Sequence, residues 1–472
     1  MKDIKFIYSK IILLSGLLFL VTMGCEREIS NEVEFATNDS SGEIFTDSPI
    51  GLGSDFYFPF GGSKATAWTV DESEGYESEA SMRFDVPNAN DPEGSYAGAI
   101  FRVDGAGRNL TEYDALTFWA KASQGVSIGS IGFGIDFEAD KYQVTKSELS
   151  LSTNWVKYTI PIPDASKLIE ERGMFWYSAG TQNTGGNGYT FWIDDLQFEK
   201  LGTIGQPLPK LYDGKNAEMQ TFVGTDGLLD LPTVTFNLGS GQNTTLLVAH
   251  SYFDYMSSEP SVVNVTKEAG LAESLTSGQA VITASSAGVQ AEGALTVSVL
   301  GNFNFAPIPT RDPNNVISIF SDVYNNVPVD FFNGFWQPYQ TTESADFEIN
   351  GDNVLNYTNF NFVGNQFANP TVDATEKSNM HINMFIPGEV PGDMDFLISL
   401  VDFGADGVEG GGDDTREQVF FNKSIWVANT WITLEFPITL TNKNAIGLII
   451  YENINFSSLT NFYLDNIYFY SE

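Results

Sequence analysis

Phe191-Trp192-Ile193-Asp194-Asp195-Leu196-Gln197-Phe198 places apolar residues at 191 and 193, then at 196 and 198, so a two-residue period slips by one at Asp194-Asp195. Period two means a strand with one buried face, and the slip reads as one extra residue, a β-bulge. The same spacing recurs at Phe462, Leu464, Ile467 and Phe469, with Asp465-Asn466 at the slip. A second landmark precedes each: Asn154 to Ile162 (NWVKYTIPI) matches Thr430 to Ile438 (TWITLEFPI), Trp431 falling on Trp155 and Pro437 on Pro161. Two landmarks in the same order predict one fold used twice.

Outward from these landmarks, 42–201 is punctuated by short alternating runs such as Leu116-Thr117-Phe118-Trp119-Ala120 and Ile131 to Phe137, with turn formers at Asn88 to Pro92 and Thr184 to Gly188. This spacing suggests a β-sandwich. The chain has 472 residues with 14% aromatics, 44 Gly and 19 Pro, too long for one core and poor in long helical stretches. The expectation is all-β with several domains. After the linker Gly202 to Pro209, aromatics thin out and Ser, Thr, Val and Ala rise. Residues 210–300 therefore read as a separate module, and 306–472 as the second copy of the first.

The ends of 42–201 resemble jelly-roll carbohydrate-binding modules of the galactose-binding-like type. That resemblance implies a structural calcium near Asp194 and, by the repeat, Asp465; the alternative is a bulge carboxylate bonded to nearby amides. In 210–300, Ser257 to Val265, Ser277 to Ala284 and Ala294 to Val299 resemble the bacterial immunoglobulin-like spacers of surface proteins. The expected architecture is thus two jelly-roll β-sandwiches separated by an immunoglobulin-like one.

Lys2, Lys5 and Lys10 precede an apolar run from Ile11 to Val21 and Thr22-Met23-Gly24-Cys25. The run is too short to span a bilayer, which takes about 20 residues, and reads as a secretory signal. The protein's only cysteine sits where such a signal ends and resembles the lipobox of bacterial lipoproteins, although Thr22 stands where Leu is usual. The expectation is a signal peptide over 1–24, lipidation at Cys25, an acidic tether over 25–41, and residence on the outer membrane at the cell surface. The formal charge of −38 and the lack of a basic cluster exclude nucleic acid and disfavour acidic polysaccharides.

Ser321 to Thr342 (SDVYNNVPVDFFNGFWQPYQTT) gathers six aromatic rings in a segment broken by Asn, Gly and Pro. Residues 306–472 resemble modules attached to laminarin-acting glycoside hydrolases and to surface glycan-binding lipoproteins of Bacteroidota polysaccharide utilisation loci. The resemblance implies that Trp336 stacks on a sugar ring, with Tyr324, Asp322 and Tyr339 flanking it, and that a TonB-dependent transporter complex is a partner. In the first module Trp68, Trp176 and Tyr177 are the exposed-aromatic candidates, with a core role as the alternative for each. Asp402, Asp406 and Asp413 lie among glycines and suit calcium or a solvated hairpin tip.

Gly125-Val126-Ser127-Ile128-Gly129 fits G-x-S-x-G, but another strand pattern follows where a nucleophile elbow needs a helix. The chain's two histidines, His250 and His381, lie outside that module. The strand motif E-x-D-x-x-E of laminarin-cleaving enzymes is absent. The reading is a non-catalytic protein that captures a neutral polysaccharide, laminarin or another β-1,3-glucan, by aromatic stacking, with no catalytic cofactor. A polysaccharide hydrolase of unrecognised type and a protein-binding adhesin are the alternatives.

Overall fold

A computed structural model describes residues 39–472 except 350, 411 and 456. The expected signal, tether and Cys25 lie outside the described residues, apart from the tether's last three positions. Among the described residues every regular element is a strand or a short 3-10 turn. Among these described residues no helix is long and apolar enough to cross a membrane.

In the first module one sheet runs Trp68–Asp71, Ser81–Val86, Tyr189–Glu199, Ala115–Ala122, Val156–Pro161, with Glu43–Phe45 also pairing to Tyr189–Glu199. Residues 191, 193, 196 and 198 all face the core, which requires the slip seen in the sequence. The register shifts between Asp194 and Gln197, and Asp195 takes φ 47°. The facing sheet runs Val144–Leu151, Val126–Phe133, Gly173–Ala179, Ala97–Arg102, Tyr57–Pro59. Between the sheets Phe84, Phe118, Phe191 and Phe198 pack with Phe101, Phe133, Phe175 and Tyr177.

The third module repeats this order. Its first sheet runs Glu343–Ile349, Asp352–Thr358, Phe462–Tyr470, Asn379–Phe385, Trp431–Pro437, with Val316–Phe320 also on Phe462–Tyr470. Its bulge sits at the same place: the register shifts opposite His381 and Asn383, and Asn466 takes φ 51°. The second sheet runs Phe362–Gln366, Ile446–Glu452, Asp395–Asp402, Thr415–Asn422.

The middle segment is tied to both neighbours. Leu208–Lys210, Thr233–Asn237 and Asn243–Val248 extend the first module's second sheet, through Leu247 opposite Thr145 and Val248 opposite Val144. The other strands of 210–300 form two sheets, one built on Asn216–Val223, Ala294–Asn302, Gly278–Ser286 and Asp254–Ser257, the other on Asp226–Leu228, Leu271–Ser274 and Val263–Val265. The first module and the middle segment share one continuous core. Phe222 and Phe303 belong to a smaller core with Ile349, Val354, Phe385 and Tyr463 of the third.

Candidate functional site

Alternation sends every second residue of the first module's central strands outward. Trp192 lies between core residues Phe191 and Ile193, and Trp119 and Lys121 alternate with Phe118, Ala120 and Ala122. Trp155, one residue before Val156–Pro161, lies across from Lys121, and Arg83 pairs with Trp192. The result is a half-exposed aromatic face on the outer side of one sheet. The Lys121 ammonium sits between two indoles, 5.1 Å from the Trp155 ring and 5.2 Å from that of Trp192. Tyr76, from the loop between Asp71 and Ser81, stacks on Trp119 at 3.7 Å and 14°.

Charges on this face are matched within the protein. Lys121 Nζ is 2.6 Å from Glu74, and Arg83 reaches Asp85 at 3.0 Å and Asp71 at 3.4 Å. Hydrogen bonds from Ser73 and from the Trp192 indole, the latter 3.0 Å long, hold the Asp71 carboxyl down at about 2. Flat rings ringed by satisfied ions suit a neutral ligand with apolar faces and hydroxyl edges.

None of these aromatics was among the sequence candidates. The available signal was a bulky aromatic at the non-core phase of a core strand. Trp68 instead packs edge-on against Phe101 at 5.2 Å. Trp176 is 6% exposed and packs with Ile100, Ile135, Phe58 and Phe60 on the opposite sheet. Tyr177, a candidate for exposure with a core role as its alternative, is fully buried in the core, because its phase along Gly173–Ala179 points between the sheets.

In the third module the equivalent face is covered. The register of the two bulged strands places Tyr463 at the position of Trp192, Phe385 at that of Lys121 and Trp431 at that of Trp155. Phe222 of the middle segment lies 5.8 Å from Tyr463 and 6.0 Å from Phe385, and Phe303 lies 6.0 Å from Trp431. Tyr324, expected beside the ligand, is buried on this same sheet. Its hydroxyl donates to the Arg311 carbonyl at 2.9 Å and its ring meets Tyr468. Asp322 accepts from the Asn353 backbone amide at 2.8 Å, pinning its loop to a strand.

Trp336 lies on the third module's other sheet. It lines an open cleft of about 390 Å³ with Phe362, Glu409, Arg416, Ile450 and Glu452. Its ring runs nearly parallel to Phe362, 6.0 Å away, and occupies the space above Gly364, where a Cβ would lie 2.2 Å from the indole. Arg416 is 2.6 Å from Glu452, and both bond Ser399 Oγ, at 2.8 and 2.9 Å. Tyr339 is 77% exposed but does not line this cleft. The aromatic loop therefore divides between two opposite faces.

The candidate calcium ligands are engaged elsewhere. Asp194 accepts from Tyr76 N at 2.7 Å, Ser78 Oγ at 2.8 Å and Asp195 N at 2.8 Å. Both oxygens of buried Asp402 accept backbone amides, from Gly404 at 3.0 Å and Ala445 at 2.8 Å. Asp413 and Asp406 accept from Ala405 and Val408. Asp465 accepts from Asn466 N, and burial pushes its carboxyl up to about 7. Among the described residues no group of three or more His, Cys, Asp or Glu side chains could hold a metal. These carboxylates close loops and fix the two bulges by accepting backbone amides.

Neither histidine forms a nucleophile–base pair with the serine of G-x-S-x-G. Ser127 stands inside the strand Val126–Phe133 with Ser150 Oγ as its partner at 3.2 Å. His250 bonds Tyr255 at 2.8 Å, and His381 bonds Glu435 at 2.9 Å while stacking on Tyr468.

Residues 43–200 match the family model for carbohydrate binding domain 30. No curated relative matches the chain. Among solved structures, a family 30 carbohydrate-binding module is similar at 18% identity, covering 34% of this chain and 98% of that one, with a TM-score of 0.26. The family 30 module of a cellulosomal cellulase of Clostridium thermocellum follows at 15% identity, 34% and 95% coverage and a TM-score of 0.22. A β-1,2-glucanase from Parabacteroides distasonis shares 11% identity over 57% of this chain and 40% of that one, with a TM-score of 0.24. The match to a carbohydrate-binding domain falls on the module that carries the outward-facing indoles, in a chain whose described residues are all-β.

Proposed function

We propose that the protein captures a neutral polysaccharide, a β-glucan such as laminarin, on the outer face formed by Trp119, Trp155 and Trp192. It does so without cleaving the chain. The single observation behind this reading is the set of three half-exposed indoles on one sheet, with Lys121 and Arg83 already neutralised by Glu74, Asp71 and Asp85. A pyranose with equatorial hydroxyls presents axial C–H groups on its faces. Those stack on indole while edge hydroxyls exchange water for the polar groups at the rim. Water competes for every hydroxyl, so the affinity should be micromolar to millimolar, about −8 to −4 kcal/mol.

The lipobox-like segment ending at Cys25 supports placing the protein on the outer membrane as a surface lipoprotein, and a TonB-dependent transporter as its partner rests on the resemblance of 306–472 to surface glycan-binding lipoproteins. Titration of the full chain with laminarin and cellohexaose, with a reducing-end assay in parallel, tests the reading. Binding without new reducing ends is expected, and Trp192→Ala with Trp119→Ala should weaken it at least about tenfold. Release of sugar would favour a hydrolase. Unchanged affinity in the double variant would remove this face from consideration.

A further inference from the structure

We infer that the loop 72–80 is a charge filter on the first module's aromatic face, and that Glu74 is the residue by which this face rejects anionic glycans. The inference rests on the saccharide reading of that face and names the group that decides its ligand class. A cation lies at the middle of the face: the Lys121 ammonium is 5.1 Å from the Trp155 ring and 5.2 Å from that of Trp192, and the side chain is 17% exposed. A bare lysine between two indoles is a receptor for a uronate, whose ring stacks on the aromatic faces while its carboxylate reaches the ammonium. Glu74 takes the place of that carboxylate, with Oε1 2.6 Å from Lys121 Nζ.

The loop that delivers Glu74 is built to hold it there. Asp194, fully buried at the bulge, accepts from Tyr76 N at 2.7 Å and from Ser78 Oγ at 2.8 Å. Ser81 Oγ donates to the Glu74 carbonyl. Gly75 permits the tight turn between them, since a Cβ there would lie 2.4 Å from Ser78 Oγ and 2.7 Å from the Ser78 carbonyl oxygen. Tyr76, two positions beyond Glu74, is stacked on Trp119. Ion pairs at a surface ordinarily contribute little because two long side chains must be ordered to form them. Here the backbone of one partner is fixed beforehand from both sides, so the ammonium keeps its carboxylate.

Arg83, the other cation of the face, is matched by Asp71 and Asp85 of its own sheet. Lys121 is the one that depends on the loop. The second copy of the fold sets this dependence in relief. In the third module the corresponding strands, Glu343–Ile349 and Asp352–Thr358, are joined by two residues only, and the register puts Phe385 at the position of Lys121 and Asn383 at that of Trp119. Where the cation is missing, the loop that neutralises it is missing too. Loop and cation occur together, on the copy whose aromatic face is open.

Calorimetric titration of the full chain with cellohexaose and with laminarihexaose, each beside its C6-oxidised counterpart bearing a carboxylate on every sugar, tests the inference. The wild type should bind a neutral probe at least about tenfold more tightly than the oxidised form of the same probe. Glu74→Gln keeps an amide oxygen for Lys121 but removes the charge, and should shift that ratio at least about tenfold toward the oxidised form. The gain should weaken with added salt, as pairing between Lys121 and a carboxylate requires. It should also disappear in Glu74→Gln/Lys121→Met. Glu79→Gln removes the same charge from an exposed position on the same loop and should leave the ratio where it is. A ratio that does not move in Glu74→Gln while neutral binding persists, an equal shift in Glu79→Gln, or a gain that survives Lys121→Met would overturn the filter and leave the aromatic platform standing. Wild-type affinity for an oxidised probe equal to that for its neutral form would do the same. No binding of either neutral probe by the wild type would overturn the platform and the filter with it.

Discussion

Asp465→Asn separates a buried, protonated carboxyl from a calcium ligand at the third module's bulge. Asp465 is 5% exposed, and burial, with Asp352 and Asp322 nearby, pushes it from its ordinary 3.8 to about 7. The folded state thus keeps its proton up to about pH 7, while the unfolded chain releases it near pH 4. Stability contributed by this group is full below the unfolded value, falls as pH rises through that window, and is level above it. At about 1.4 kcal/mol per unit, the loss is about 1 kcal/mol at pH 4.5 and about 4 kcal/mol at pH 8. Asparagine keeps an oxygen for the Asn466 amide and never ionises. Relative to wild type, Asp465→Asn should therefore gain about 3 kcal/mol more at pH 8 than at pH 4.5. Urea unfolding read by hydrogen exchange in the strand Phe462–Tyr470, with both proteins compared at each pH, measures this difference. A calcium ligand would be ionised and would give the reverse: loss of stability in the variant, matched by chelator on the wild type. That result, or a pH-independent difference, would refute the reasoning.

The remaining predictions concern packing. Trp336 is half-buried over Gly364, so Trp336→Ala should cost about 2 kcal/mol of third-module stability, read by urea unfolding. Gly364→Ala places a methyl 2.2 Å from the indole and should displace the ring, visible as a shift in tryptophan fluorescence. Tyr177→Ala removes a fully buried core ring and should destabilise the first module by about 3 to 5 kcal/mol. Phe222→Ser strips the cover from Tyr463 and Phe385 and should speed proteolysis between 303 and 312, with the first module's melting unchanged.

The sequence by itself determined the all-β class, the paired bulges and the repeated sandwich, because a two-residue period with a one-residue slip is a local constraint on which side chains face the core. Asp194-Asp195 and Asp465-Asn466 carry that information within eight residues each. Loop composition marked six rings in Ser321 to Thr342 without ranking them, and Trp336 was singled out among them by the resemblance of 306–472 to modules of laminarin-acting enzymes. Tertiary structure alone decided which aromatic faces stay open. Trp192 and Tyr463 occupy the same rung of the same fold, yet one is half-exposed and the other lies under Phe222. Tyr324 and Trp336, twelve positions apart in one loop, ended on opposite sheets for the same reason. An outward-pointing ring is free or buried according to what packs onto it from elsewhere in the chain, and the periodicity of its own strand carries no information about that partner.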